Sequence, residues 1–297
     1  MFPIIQKSKM WYAISGALVT ASVVVLAIWR LNFGIDFTGG SLLTVEFAQD
    51  RPEPKAILET LQPFDLGEII LQNSAERSVN MRFKEVGEER HRDIVQAFTE
   101  RFDGAEERRF ESIGGTIGKE LKTRSLWMLG TVLMCILFYI AWSFRHVSRK
   151  VSGWQYGVTA IVALFHDVLI TLGVFSVLGH YLHLEVGAPF IAAVLTVLAY
   201  SVNDTIVVFD RIRENLIKLR NVPFEEAVNT SVNQTMYRSV NTSLTILLSL
   251  AAIFFFGGES IKYFVLTLIV GISVGTYSSI FLASPVLVSW GKRSIGG

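Results

Sequence analysis

The stretch "AYSVNDTIVVFDRIREN", residues 199–215, is mostly apolar over its first ten positions, yet it carries Asp204 beside Asn203. Read as part of a membrane span, it sets an ionisable group inside hydrocarbon. Composition favours the span. The chain has 297 residues, of which 51% are apolar and 18% charged, whereas soluble domains carry about 25% charged residues. About 20 consecutive apolar residues cross the hydrocarbon core as a helix. Six runs meet that need: 10–29, 124–144, 154–178, 186–209, 239–256 and 263–288. The last contains Pro285 near its end, where a kink or helix stop is tolerated. The first follows Lys7 and Lys9 and ends in Trp29, Arg30 and Leu31. A secretory signal would have a shorter apolar core and a small-residue cleavage site, so this run reads as an uncleaved span.

Charge is uneven along the chain. Residues 31–122 hold 18 acidic and 12 basic residues, a net of −6, while the remainder carries +7. An acidic, water-soluble domain is therefore expected between the first span and the rest. Within it, 41–47, 68–72, 79–83 and 108–114 read as strands, and 54–61 and 88–102 as helices. That order, β-α-β-β-α-β, is the ferredoxin-like pattern. Basic residues mark the cytoplasmic loops. Lys7 and Lys9 precede the first span; Arg145, Arg149 and Lys150 follow the second; Arg211, Arg213, Lys218 and Arg220 follow the fourth; Lys292 and Arg293 close the chain. The 179–185 loop has no lysine or arginine and the 257–262 loop only Lys262. Both termini are expected in the cytoplasm and residues 31–122 on the far side. The expected units are residues 1–30 (tail and first span), 31–122 (extracytoplasmic domain), 123–290 (a five-span bundle) and 291–297 (a tail). Asn221 reads as the cap of a short amphipathic helix over about 221–236, lying on the cytoplasmic surface with Phe224, Ala227, Val228 and Val232 on one face. The single cysteine, Cys135, excludes an intramolecular disulfide.

An ionisable group at the bilayer centre costs about 2.5–3.5 kcal/mol on insertion scales and usually faces a bundle interior or a wet cavity. Three spans carry polar stripes at helical spacing. The fourth has Thr196, Tyr200, Asn203 and Asp204; the fifth has Arg238, Asn241, Thr242, Thr245 and Ser249; the third has Thr159, His166 and Asp167. Asp204 precedes Asp210 by six residues, or roughly 9 Å at ~1.5 Å per residue, and Arg238 opens the next span from the same edge. An Asp204–Arg238 contact is geometrically open. Two readings of it stand: a carboxyl that binds and releases a proton as the arginine approaches and withdraws, or a static pair that pins two helices. For His166 and Asp167 a structural hydrogen-bonded pair is the better reading. Gly271, Gly275, Ser279 and Ala283 recur every four residues, a small-residue ridge suited to close helix packing. Asp36, Thr38, Gly39 and Gly40 read as a rigid junction between the first span and the domain, with Asp36 bonding nearby backbone amides. No metal cluster, nucleotide loop or catalytic constellation is legible. "GGTIGKE" (114–120) has the wrong glycine spacing and Glu120 where a Ser or Thr is needed. The "NTS" and "NQT" acceptor patterns at 229–243 fall on the cytoplasmic side or within a span.

"FGIDFTGGSLLTVEF" (33–47), "SIGGTIGKELKTRS" (112–125), "NDTIVVFDRIREN" (203–215), "RSVNTSLT" (238–245) and "GTYSSIFLASPVLVSW" (275–290) together resemble the SecD/SecF protein-export family, and its SecF branch more than its SecD branch. The likeness covers nearly the whole chain. It implies a bacterial inner-membrane protein of the RND superfamily that pairs with SecD, associates with SecYEG and YajC, and uses the proton gradient, with no other cofactor, to assist late preprotein export. The family's proton-passage aspartate and arginine fall on Asp204 and Arg238. Asn203, Asn241, Thr242, Thr245, Asp167 and His166 would then form a supporting polar face. An obligate partner is also expected from burial, because polar faces on six spans need a second surface to close on. The competing readings are an RND-type exporter of small molecules or lipids, for which about 90 extracytoplasmic residues leave little room, and a scaffold without energy coupling. An enzyme is the least supported.

Overall fold

The computed structural model describes residues 1–75, 77–145, 151–219 and 221–295. The predicted loop residues Arg149, Lys150 and Arg220 lie outside them. Six helices are long and apolar enough to cross a membrane, and they set the element order. α1 (Ser8–Trp29) is followed by the one-turn α2 (Ile35–Thr38), then β1 (Gly40–Glu46), α3 (Pro54–Leu61), β2 (Ile70–Ala75), β3 (Ser78–Phe83), α4 (Glu88–Arg101) and β4 (Glu106–Ile113). The long helices α5 (Gly115–Ser143), α6 (Gly153–Leu182), α7 (Ala188–Lys218) and α8 (Phe224–Phe256) come next. α9 (Glu259–Ser278), a π-helical turn (Ser279–Ala283) and α10 (Ser284–Ile295) form the last crossing.

The chain divides into two compact units. One holds residues 1–31, 127–184 and 189–297; the other holds 32–126 together with 185–188. The second unit contains the expected βαββαβ order. Its sheet runs β2-β3-β1-β4 with every neighbour antiparallel. Alternation drives its packing: Leu43 and Val45 of β1 and Val79, Met81 and Phe83 of β3 point to one face. Ile57 and Leu61 of α3 and Ile94 and Phe98 of α4 close over them in a single core. Residues i and i+2 of a strand share a face, so two strands with apolar alternate positions suffice to seat both helices. The edge strand β4 carries Glu106, Glu107, Arg108 and Arg109 in its first four positions, and charge on an edge discourages pairing with a foreign strand.

Segment 185–188, which links α6 to α7, belongs to this unit rather than to the helical one. Val186 bridges Phe33, its N–H donating to Asn32 O (2.8 Å) while Gly34 N–H donates to Val186 O (3.0 Å). Arg82 of β3 donates to Phe33 O (3.1 Å) and to Thr38 Oγ1, and it pairs with Glu185 Oε1 at 3.1 Å.

The helical unit packs mainly through α6, α7, α9 and the π-turn. Between helices in lipid, association rests on van der Waals fit and hydrogen bonds rather than on water exclusion. Gly173 lets α6 approach α1 so closely that a Cβ there would meet Ser22 Oγ at 2.5 Å. Gly271 does the same between α9 and Val197 of α7, at 2.3 Å. Tyr156, Phe144 and Phe209 stack at 4.9–6.2 Å within one core that also takes in Ile4 and Ile5.

Three expectations need correction. α5 begins at Gly115, ahead of the apolar run at 124, because "GKELKTR" is strong helix-forming sequence with a Glu120–Arg124 pair one turn apart. The separate amphipathic helix over 221–236 does not exist. Helix α8 runs unbroken from Phe224 to Phe256, and Pro223, not Asn221, precedes it. No breaker separates residue 236 from 239, and the face bearing Phe224, Ala227, Val228 and Val232 is buried in the helical core instead of lying on lipid. Part of its cover is the N-terminal segment: Asn229 Oδ1 accepts from Ile4 and Ile5 N–H (3.0 and 3.1 Å), and Asn233 Oδ1 accepts from Phe2 N–H (2.7 Å). Finally, Pro285 does not stop the last crossing. It lacks an N–H and its ring crowds the carbonyl four residues back. The π-turn at 279–283 absorbs that defect by lengthening one turn.

Gly39 and Gly40 have φ of +74° and +121°. A Cβ at Gly39 would lie 2.6 Å from Gly115 Cα and one at Gly40 2.8 Å from Phe83 O, both backbone atoms that cannot swing away. Gly39→Ala is expected to cost the sheet-bearing unit about 1–3 kcal/mol. Gly115→Ala, where a Cβ meets open space, should stay within about 0.5 kcal/mol. Thermal unfolding of the purified chain, read by protease resistance of this unit, distinguishes the two.

Candidate functional site

Among the described residues two carboxyl groups, Asp167 and Asp204, are buried inside the helical unit, and their surroundings differ. Asp204 of α7 is 8% exposed. The nearest donors to it are the hydroxyls of Ser239 (α8) and Ser279 (π-turn). Ser279 spends its hydrogen bonds elsewhere, on Thr205 Oγ1 (2.9 Å) and Gly275 O (2.9 Å). Asp204 Oδ2 and Ser239 Oγ are both buried without a hydrogen-bond partner. Leaving a buried acceptor unmade costs about 1–3 kcal/mol, more for a charged one. One oxygen of this carboxyl is therefore uncompensated in the bundle.

Arg238 does not supply it. The guanidinium is on the exposed side of α8, within electrostatic reach of Asp204 but not bonded to it. The reason is rotation. Ser239 occupies the inward position, and its neighbour is turned about 100° away around the helix. The same rotation corrects the polar stripes. Asn241, Thr242, Thr245 and Ser249 are all exposed, as are Asn203 and Thr196 of α7. The threonines satisfy themselves, Thr242 donating to Arg238 O (2.9 Å) and Thr245 to Asn241 O (2.8 Å). Within the apolar part of α8 the buried polar residues are Ser239 and Ser243, and Asn229, Ser231 and Thr235 are buried nearer its start. Tyr200 OH bonds Ser243 Oγ (3.0 Å), which bonds Thr276 Oγ1 (2.6 Å), so one hydroxyl chain ties α7, α8 and α9 together.

Asp167 of α6 is fully buried and fully partnered. Its Oδ2 accepts from Ser201 of α7 (2.6 Å) and Ser278 of α9 (2.8 Å), and its Oδ1 meets His166 Nδ1 at 3.0 Å. Gly275 makes this convergence fit: a Cβ there would stand 2.9 Å from Ser201 Cβ and 3.5 Å from Asp167 Oδ2. Ser201, Ser239, Ser243 and Ser278 were not singled out from sequence. A serine in an apolar run is a weak signal, because its hydroxyl can equally bond its own helix.

The Asp36 motif is bound at long range. Asp36 Oδ2 accepts the N–H of Ala188 at 2.6 Å, 152 residues away in sequence and at the first residue of α7. The expected nearby amides are not its partners. A carboxylate at a helix start satisfies an orphan N–H and meets the positive end of the dipole. The helix that carries Asp204 thus begins on a bond to the Asp36-Phe37-Thr38-Gly39-Gly40 turn.

Known proteins resemble this chain in sequence and fold. Residues 94–293 match the family profile described as "Protein export membrane protein SecD/SecF, C-terminal", and residues 25–50 match the "SecD/SecF GG Motif". The chain is 40% identical over 304 residues to the "Protein translocase subunit SecF" of Thermobaculum terrenum, covering 99% of this chain and 95% of that one. It is 37% identical over 295 residues to the "Protein translocase subunit SecDF" of Thermus thermophilus, covering 95% of this chain and 38% of that longer one. The crystal structure of SecDF, described as a translocon-associated membrane protein, from the same organism superposes with a TM-score of 0.85 at 35% identity, over 98% of this chain and 39% of the solved chain. With matches of this length in sequence and in structure, the chain belongs to the SecD/SecF family of protein-export membrane proteins.

Proposed function

We propose that this chain is an accessory subunit of a Sec-type preprotein translocase, one that uses the proton motive force together with SecD to assist late export across the bacterial inner membrane. The observation that carries the reading is Asp204: a carboxyl buried in a membrane span with one oxygen unpartnered. Such residues in membrane proteins mark ion or proton paths. Protonation at Oδ2 would neutralise the group and give the Ser239 hydroxyl a partner. Arg238, near but withdrawn, is the cation that would favour release if α8 turned it inward. One charge crossing the membrane yields about 2.3 kcal/mol per 100 mV, enough to bias a shift of packed helices. Protons are the coupling ion, and the chain calls for no other cofactor.

The route from proton to work follows the chain. Ala188, held by Asp36, and Asp204 lie on one helix, about 24 Å apart at ~1.5 Å per residue. A tilt or turn of α7 on protonation would pull on the glycine-hinged segment that starts the sheet-bearing unit. Partnership with SecD is supported by the fused Thermus thermophilus relative, in which this chain matches only 38% of the length. It is supported equally by the exposed polar face of α7 and α8, which needs a protein or a wet cavity against it. SecYEG and YajC complete the proposed assembly, with preproteins as cargo.

Asp204→Asn keeps shape and removes the titrating group. In cells depleted of the native copy, precursor accumulation is expected to rise at least about tenfold at equal abundance of the variant and of its SecD partner. Unimpaired export would overturn the proton-driven role of this side chain.

Orientation has its own check. The basic loops argue for cytoplasmic termini and an extracytoplasmic sheet-bearing unit. In a Cys135→Ser background, Lys55→Cys, on the exposed face of α3, should react with an impermeant thiol reagent added to spheroplasts. Reaction only after lysis would reverse the assigned topology.

A further inference from the structure

Asp167 sits deeper than Asp204, and among the described residues its only ion-pair partner is His166. Buried charges in proteins are paired or neutralised. Two hydroxyls, Ser201 and Ser278, point their protons at Oδ2, which suits an anion but does not cancel its charge. The imidazole of His166, 4% exposed, is the one group placed to do so. Its Nδ1 faces Oδ1 at 3.0 Å, while its Nε2 is buried with no hydrogen-bond partner. The titratable groups that neighbouring helices bring to the pair are few. α9 presents Tyr277, whose ring stacks on His166 with centroids 6.0 Å apart. α7 presents Asp204, three residues beyond Ser201. α1 adds only Ser15, which bonds Tyr277 OH at 3.1 Å.

We propose that His166 and Asp167 form a second proton-binding site, loaded at His166 Nε2 and linked to Asp204 through Ser201, Thr205 and Ser279. With Nδ1–H donated to the carboxylate, a neutral imidazole leaves the pair at net −1 and Nε2 with a free lone pair. A proton arriving from water or from Asp204 forms one N–H bond there, and the pair becomes an imidazolium beside a carboxylate at net zero. No other bond is made or broken. The link to Asp204 runs along α7 and the π-turn. Ser201 gives its hydroxyl to Asp167, and its carbonyl accepts from Thr205 (2.9 Å) and Ser279 (3.4 Å). Ser279 in turn neighbours Asp204. Protonation at one end changes the charge that this short chain of dipoles feels at the other. A structural strut alone does not explain why Nε2 is left bare in the core. This inference rests on the bundle being proton-coupled, but its test does not depend on export.

The full chain, labelled with nitrogen-15 at histidine and reconstituted in liposomes, is examined by solid-state NMR from about pH 4 to 10, a range wide enough for perturbed histidines. One histidine signal, absent in His166→Gln, is expected to convert from neutral to imidazolium. Asp167→Asn removes the facing charge and should alter that conversion. Asp204→Asn should leave a titrating His166. A His166 that keeps a single neutral tautomer at every pH, or that titrates identically in Asp167→Asn, overturns the proposal and makes the pair a strut. If Asp167→Asn does not assemble, Ser201→Ala combined with Ser278→Ala must move the same titration, and an unmoved one counts against the site. The two readings fail separately. Normal export in Asp204→Asn with a titrating His166 removes the motor role and keeps the site. Lost export with a silent His166 does the reverse.

Discussion

Placing carboxyl groups inside a membrane bundle without a bonded lysine or arginine is the constraint from which most of the helical unit follows. Asp167 is tolerated because α7 and α9 converge on it with hydroxyl donors while His166 of its own helix meets its other oxygen. That convergence needs helices closer than ordinary side chains allow. Gly275 provides the room, since any Cβ would press on Ser201 and crowd Asp167 Oδ2. Gly271 holds the same approach one turn earlier against Val197. The π-turn then adds a residue to the circuit, so that Ser278 faces Asp167 while Ser279 reaches Thr205. A regular α-helix advances about 100° per residue, and its i→i−4 ladder would leave Pro285 crowding the carbonyl four positions earlier. Small residues, the wide turn and the proline thus answer one electrostatic need.

Asp204, also buried, lacks such a set of donors. Its neighbours are hydroxyls already committed, or unpartnered themselves. The contrast is informative because both groups pay for desolvation and only one is compensated. An interaction left unmade is a reserve that a proton, or a turn of α8, can draw on. The other end of α7 is the opposite case: Asp36 caps it with a short charge-assisted bond, and Arg82 ties the turn that carries Asp36 to both Thr38 and Glu185.

The legible parts of the sequence were those with long or strictly periodic signals. Six apolar runs gave six helices, and the strand-like runs 41–47 and 79–83 gave the two central strands of a βαββαβ unit. The stripes on α7 and α8 were legible as polar but not as to facing. Asn203 and Asp204 are adjacent, as are Arg238 and Ser239, and a one-residue step decides which enters the bundle. Periodicity fixes the width of a face, whereas neighbours fix its direction. Threonines such as Thr242 and Thr245 mislead further, because their hydroxyls are satisfied by their own helix. The partner of Asp36 could not be read locally, being 152 residues away. The amphipathic pattern at 224–232 was correctly apolar, but the N-terminal Ile4 and Ile5 that help cover it, through Asn229, share no local pattern with it.

The misread stripe still has a consequence. Asn203, Arg238, Asn241 and Thr242 are exposed on helices long and apolar enough to cross a membrane, and polar and charged groups in such spans usually face a bundle interior or a wet cavity. Packing Arg238 inward is blocked by Ser239 and Asp204, which already hold the inner positions. The remaining economy is a second surface laid over α7 and α8. On the proposed reading that surface is SecD, and the arginine withdrawn from Asp204 then belongs to the interface between two halves. Protonation at Asp204 and the seating of the partner would act on the same guanidinium. On the same reading, coupling between the halves would run through a turn of α8 that displaces Ser239 from the inner position, the one-residue step that separates it from Arg238.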